Sequence, residues 1–301
     1  MLSSNLSWSP HIESIVKNVS PLIDILKKLK HDLDRKTIET TYFSFIRPKM
    51  EYGCHIWDNC GKCDSELLEN MQLNMARVVT GARKGTSHEL LYRETNWHTL
   101  SHRRDLIKLK TFIRIANGES PNYLRELLPR TFGSLRDNSR NPDNYLVPKT
   151  RTETFRSSFF PSSIRIWNSK NPEERTIENV KLAMKTRCND LFYLGERKVN
   201  IIQAQLRLKC SKLNGDLFSL HVIDSPACPC GHGIEDCTHF LFQCPLYFRS
   251  RHKMLEALYR CIDVNAVNTE ILLFGSETYD YDMNCLIFKS VHTYISESGR
   301  F

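Results

Sequence analysis

The chain has 301 residues, of which 41% are hydrophobic and 25% charged, which excludes wholesale disorder and allows two or three compact units. No apolar run approaches the roughly 18 residues needed to span a bilayer, and the start, Met-Leu-Ser-Ser-Asn-Leu-Ser-Trp, lacks the basic and apolar regions of a signal peptide, so cytoplasm or nucleus is expected. The net charge of +8 is uneven: residues 101–220 hold 23 Lys/Arg against 12 Asp/Glu, whereas residues 221–301 hold 6 against 10.

In chain order, Leu2, Leu6 and Trp8 alternate like a strand end that Pro10 stops. Ile12, Ile15, Val16, Val19, Leu22, Ile23, Leu26 and Leu29 recur at helical spacing, with Pro21 predicted to kink or divide the helix. A second helix is expected from about Arg35 to Phe45, with Ile38, Tyr42 and Phe45 on one face, closed by Pro48. A third follows the capping pair Asp64-Ser65 and carries Leu67, Leu68, Met71, Met75, Val78 and Val79; Gly81 and Gly85 mark its end. A fourth runs from about Leu100 to Ala116 and stops at Asn117-Gly118. Residues 128–149, poor in apolar side chains, read as a linker, and Tyr145 to Arg156 reads as strand-like. A short helix at Ser162 to Trp167 and helices over 176–194, 197–210, 246–262 and 284–297 complete the chain.

Eleven cysteines, an odd number with one cluster, point to metal binding and scattered thiols in a reducing compartment, not a disulfide framework. The cluster is Cys228-Pro229-Cys230, then eight residues, His239, four more residues and Cys244. Three thiolates and an imidazole complete a tetrahedral shell for structural zinc and leave no open position for activating water. Pro229 and Gly231 shape the turn, Glu235-Asp236 can cap a short helix carrying His239, and Phe240, Leu241 and Phe242 supply apolar cover. Cys237 is the rival ligand, and an unmetallated turn with buried thiols is the alternative. Cys54-His55 with Cys60 and Cys63 forms a second Cys/His group, but Cys54 and His55 point apart on either a strand or a helix.

For nucleic acid, Arg103, Arg104, Lys108 and Lys110 are expected as exposed stripes on the fourth helix. Lys149, Arg151, Arg156 and Arg165 follow, interleaved with Tyr145, Phe155, Phe159 and Trp167. Cations alternating with aromatics suit backbone contact plus base stacking, though Phe159 and Trp167 are expected to be at least half buried. Arg249, Arg251 and Lys253 can add a local contact after the cluster.

Several strings occur in an order that resembles the C-terminal part of non-LTR (LINE-type) retrotransposon reverse transcriptases. They are Leu6-Ser-Trp8 with His11-Ile12, Tyr42-Phe-Ser-Phe-Ile-Arg-Pro48, Glu51-Tyr-Gly-Cys-His-Ile-Trp-Asp58, and His88-Glu-Leu-Leu-Tyr92. Trp97-His-Thr-Leu100, Arg103-Arg104, Asn117-Gly118, Pro121, Tyr123-Leu124 and Leu127-Leu-Pro129 continue the match. Ser158-Phe-Phe-Pro-Ser-Ser-Ile-Arg-Ile-Trp-Asn168, Asp224-Ser-Pro226 with the Cys/His cluster, and Tyr294-Ile295 with Ser298-Gly-Arg-Phe301 close it. The resemblance implies a mainly α fold: a helical thumb-like region at 1–128, a basic connector with short strands at 129–220, and a zinc knuckle with a helical tail at 221–301. The family's polymerase centre contains an adjacent Asp-Asp pair for divalent metal, and this sequence has no Asp-Asp doublet. The expectation is therefore a non-catalytic segment that holds template RNA or target DNA, largely regardless of sequence, with an upstream palm as partner if the chain is part of a longer polyprotein. A structural or protein-interaction module stapled by zinc is the rival.

Overall fold

A computed structural model describes residues 7–135, 140–186 and 188–301. Among these residues the secondary structure is helical, with two isolated bridges, Thr131 to Tyr145 and Ala227 to Ile234, and no strand. The short strands expected in the connector are replaced by irregular chain, and Tyr145 contributes only its single bridge. The β-branched Thr152 acts locally instead: its hydroxyl accepts from the Phe155 N–H and starts a helical turn at Glu153–Ser157. The strand-like reading of Leu2 to Trp8 falls outside the described residues, except for Ser7 and Trp8.

Helix α1 spans Ser9–Lys28 without interruption, with Pro10 in its first turn and Pro21 inside it. Helix α2, Arg35–Thr41, passes into a π turn, Tyr42–Ile46, and then α3, Arg47–Glu51. Pro48 lies in the first turn of α3, where its missing N–H costs no intrahelical bond, so it continues the helical run that it was expected to close. The π turn widens the helix and offsets the drift of a four-residue repeat. Ile38, Tyr42, Ile46 and Met50 are consequently all buried, while Phe45 is 63% exposed instead of sharing their face. Helices α4 (Cys54–Trp57), α5 (Lys62–Thr80), α6 (His88–Thr95), α7 (Leu100–Ala116) and α8 (Asn122–Glu126) follow. The remainder is α9 (Glu153–Ser157), α10 (Phe159–Ser169), α11 (Ile177–Ala183), α12 (Arg197–Arg207), α13 (Asn214–Ser219), α14 (Phe248–Tyr259), α15 (Thr269–Phe274) and α16 (Tyr281–Ser298).

The chain forms two compact units that interleave in sequence. One comprises Met1–Leu22, Phe43–Gln72 and His98–Thr186; the other comprises Ile23–Tyr42, Leu73–Trp97 and Arg187–Phe301. In the first unit α4, α10 and α11 pack on α7. Leu106, Leu109 and Ile113 of α7 meet Val180, Ile166, Trp167 and Ile177. In the second unit α16 lies against α12, α14 and α15. Ile287, Phe288, Val291 and Ile295 of α16 share a core with Leu206, Met254, Leu258 and Leu272. No helix among the described residues is long and apolar enough to cross a membrane.

Candidate metal centre

Two short pieces of the second unit supply the four candidate ligands. The first is a hairpin: the Cys228 N–H donates to the Gly233 carbonyl at 2.9 Å and the Gly231 N–H to the Cys228 carbonyl at 3.0 Å. Gly231 and Gly233 have φ of +80° and +76°, which side chains with a Cβ adopt only with strain, so this tight turn needs both glycines. The His232 N–H donates to Cys230 Sγ at 3.3 Å. In the second piece Asp236 accepts from the His239 N–H at 2.7 Å, as a capping residue does. Glu235 does not share that role: it is fully buried and ion-paired to Arg300.

Residues five apart diverge by about 140° around an α-helix. The chain from His239 to Gln243 is instead a π turn, closed by the Cys244 N–H donating to the His239 carbonyl at 2.8 Å. The wider turn brings His239 and Cys244 to one side. The buried Arg251 side chain donates to the Cys244 carbonyl at 2.8 Å, which corrects its expected role as a surface contact.

The ligand atoms of Cys228, Cys230, His239 and Cys244 all lie within 4.8 Å of one another. Cys228 Sγ and Cys244 Sγ are 3.7 Å apart, and Cys230 Sγ is 3.3 Å from His239 Nε2. A tetrahedron with metal–sulfur bonds of about 2.3 Å and metal–nitrogen bonds of about 2.0 Å has edges of about 3.8 Å and 3.5 Å. The residues therefore fit one tetrahedral ion, and the cluster can hold a metal. Burial pushes the Cys228 thiol up to about 12 and raises that of Cys244. Burial also acts upward on Cys230, but the His232 N–H and the neighbouring Cys228, His239 and Cys244 side chains outweigh it and bring that thiol down to about 7.

Among the described residues no other group of three or more Cys, His, Asp or Glu side chains converges in this way. Cys237, the rival ligand, stays outside the cluster, with burial pushing its thiol up to about 12. Cys54, His55, Cys60 and Cys63 do not assemble into a site. All eleven cysteines are free.

The basic residues divide sharply. Arg103, Arg104 and Lys108 are buried, which corrects the exposed stripes expected on α7. Arg103 grips Glu51 through both its Nε and Nη2 and donates to the Met184 carbonyl at 2.9 Å. Arg104 pairs with Asp58 and donates to Ser65 Oγ at 2.6 Å, and Lys108 reaches Asp58 at 2.5 Å and Asp105 at 3.1 Å. Lys110 is half-buried. Lys149, Arg151 and Arg156 are exposed, with Arg156 at 3.6 Å from Glu153, which is exposed too. Arg165 is partly buried and donates to the Arg156 carbonyl. Trp167 donates to the Asp143 carbonyl at 3.0 Å and packs with Tyr145 around Phe112, while Phe159 is partly buried as expected. Phe155 is the aromatic of this stretch that faces solvent, at 48% exposure.

Sequence reading missed a buried charge network in the second unit. The carboxylate of Glu94 is held by Arg35 and Arg207, each at 2.7 Å, and the Arg207 guanidinium stacks 3.8 Å over the Phe192 ring. Burial works against the charged form of Glu94, yet Arg207 and Arg35 hold its carboxyl below the usual range. Glu39, also buried, accepts from Trp97 Nε1 at 2.7 Å and from the Tyr193 hydroxyl. No local signal marks these residues, because their partners lie far away in sequence.

No protein-family model matches the chain, and neither a curated protein nor a solved structure is similar to it.

Proposed function

We propose that the chain is a non-catalytic, zinc-stapled helical segment that holds single-stranded RNA or DNA by its phosphates, as its resemblance to the C-terminal part of non-LTR reverse transcriptases implies. The observation that carries the nucleic-acid reading is the run Lys149, Arg151 and Arg156, exposed beside the exposed ring of Phe155. Their cations can replace counterions along a phosphate backbone, and the ring offers a face for a base.

Zinc is the metal that best suits three thiolates and an imidazole at tetrahedral spacing. It would be held by Cys228, Cys230, His239 and Cys244 in a closed shell, with a structural role. The stretch 221–247 has no strand and buries few large apolar side chains, chiefly Phe240, Leu241 and Tyr247. These side chains join the core of the second unit, and apparent zinc-binding energies of about 10–16 kcal/mol would add a staple that fixes the irregular hairpin onto it. Polymerase activity is not part of the proposal, since the sequence has no adjacent Asp-Asp pair of the kind that holds catalytic metal in that family.

Zinc analysis and salt-titrated binding to unrelated single-stranded RNAs test both halves. The expected result is one zinc per chain, lost in the Cys228→Ser/Cys244→Ser double variant, with binding that weakens steeply as salt rises. A protein that keeps its zinc in that variant, or binds no polyanion at low salt, overturns the corresponding half. The burial of Arg103, Arg104 and Lys108 favours a second reading, a zinc-stapled protein-interaction module. Zinc uptake without nucleic-acid binding would select it.

A further inference from the structure

The two ligand-bearing pieces of the metal centre are joined by residues that are not ligands. Glu235 stands on the second arm of the hairpin, beyond the Ala227–Ile234 bridge, and is completely buried. Its two carboxylate oxygens receive Arg300 Nε and Nη2, each at 2.7 Å, in a bidentate pair. The same carboxylate accepts from the Asn214 N–H at 2.8 Å, and Arg300 also donates to the Lys212 carbonyl at 2.9 Å. Asn214 in turn donates to the Ala227 carbonyl on the first arm at 2.7 Å. The arm that carries Cys228 and Cys230 is thereby tied to Arg300 and to the start of α13.

The other half of the shell meets the same segment. Phe240, next to His239 on the π turn, is fully buried, and the Phe301 ring packs edge-on against it with centroids 5.4 Å apart. Tyr294 of α16 packs 4.9 Å from Phe240 and donates its hydroxyl to the Phe240 carbonyl. Gly299 ends α16 with φ of +63°, the left-handed cap that turns the chain back toward the metal site. Arg300 thus holds one ligand pair and Phe301 abuts the other.

We propose that Arg300 and Phe301 form a clasp that positions the two halves of the Cys3His shell, so that metal loading and docking of this segment strengthen each other. The proposal rests on the metal reading above and adds residues to it. Outer-shell partners orient metal ligands, and their loss typically weakens metal affinity by about 10–100-fold. Linkage requires the reciprocal effect, with the metal tightening the clasp by the same factor.

The test is zinc affinity, measured on the full chain by competition with a chromophoric chelator, for wild type, Arg300→Ala, Arg300→Lys and Glu235→Gln. The expected result is affinity about tenfold or more weaker for Arg300→Ala and Glu235→Gln, with Arg300→Lys between them and wild type, since lysine keeps the charge but not the bidentate fork. Amide exchange of residues 296–301, with zinc and after chelation, reads the reverse direction, and zinc is expected to protect this segment in wild type more than in Arg300→Ala. Thermal unfolding with and without zinc separates positioning from general stability. A clasp makes the zinc-induced stabilisation smaller in Arg300→Ala. Equal losses in both states, or zinc affinities within twofold of wild type, overturn it. Wild-type protein that takes up no zinc overturns the metal reading itself, and with it the clasp.

Discussion

The cations of α7 and those of the connector are alike in sequence and opposite in circumstance. Arg103, Arg104 and Lys108 are buried against Glu51, Asp58 and Asp105, whereas Lys149, Arg151 and Arg156 stand in water. Desolvating an ion is costly unless a partner and hydrogen bonds compensate it, so the α7 cations are committed to holding their own fold. The exposed cations retain their hydration and can exchange it for a phosphate. Local charge density therefore overstates the binding surface of residues 101–220 by the members that the fold has consumed.

The comparison is most sensitive where a buried charge loses its counterpart. Glu94 is the carboxylate between Arg35 and Arg207, and all three side chains are at most 2% exposed. Glu94→Ala would leave two guanidiniums facing each other out of water. The expected loss is about 3–5 kcal/mol of stability, read from denaturant unfolding midpoints at unchanged slope. A loss below about 1 kcal/mol would show that water or a rearranged Glu39 satisfies the arginines, and that burial here constrains charge less than argued.

A smaller effect is expected on α7. Asp58 serves both Arg104 and Lys108 and is 15% exposed, so some solvent reaches the site. Asp58→Asn keeps the shape and removes the charge, and the expected cost is about 2 kcal/mol. Polyanion affinity measured on the folded variant should stay at the wild-type value. If freeing Arg104 and Lys108 raises affinity instead, α7 holds latent phosphate contacts.

What could be seen from sequence follows the same division between near and far. The candidate ligands were legible because short spacings set them: a turn, a capped helical start and one π turn bring Cys228, Cys230, His239 and Cys244 together within 17 residues. Helix α7 was legible from Leu100 to Ala116, with its stop at Asn117-Gly118. The fate of its arginines was not, because Glu51 and Asp58 lie 52 and 46 residues earlier, and periodicity carries no information about such partners. Pro48 misled because it falls in the first turn of α3, where its missing N–H costs no intrahelical bond, and Pro21 does not divide α1, which is helical throughout. The strand-like texture of 145–156 lacked a neighbouring strand to pair with, and the chain there settled into a loop and the short α9 instead.

The finest test concerns the exposed side of the comparison, where stability should hardly move. The triple variant Lys149→Gln, Arg151→Gln and Arg156→Gln removes three exposed charges and one solvent-facing ion pair with Glu153, contacts that contribute little to folding. Unfolding midpoints are expected to shift by no more than about 0.5 kcal/mol. Binding to single-stranded RNA should fall for every sequence tried. The slope of log affinity against log salt should flatten by about 2 if all three residues contact phosphate, since each contact on a single strand contributes about 0.7. The same measurement on Phe155→Ala separates stacking from charge, because losing the ring lowers affinity while leaving the slope unchanged. A triple variant with the wild-type slope would move the binding surface away from the connector. The exposed cations would then be only a solvated face, as the buried ones are only a scaffold.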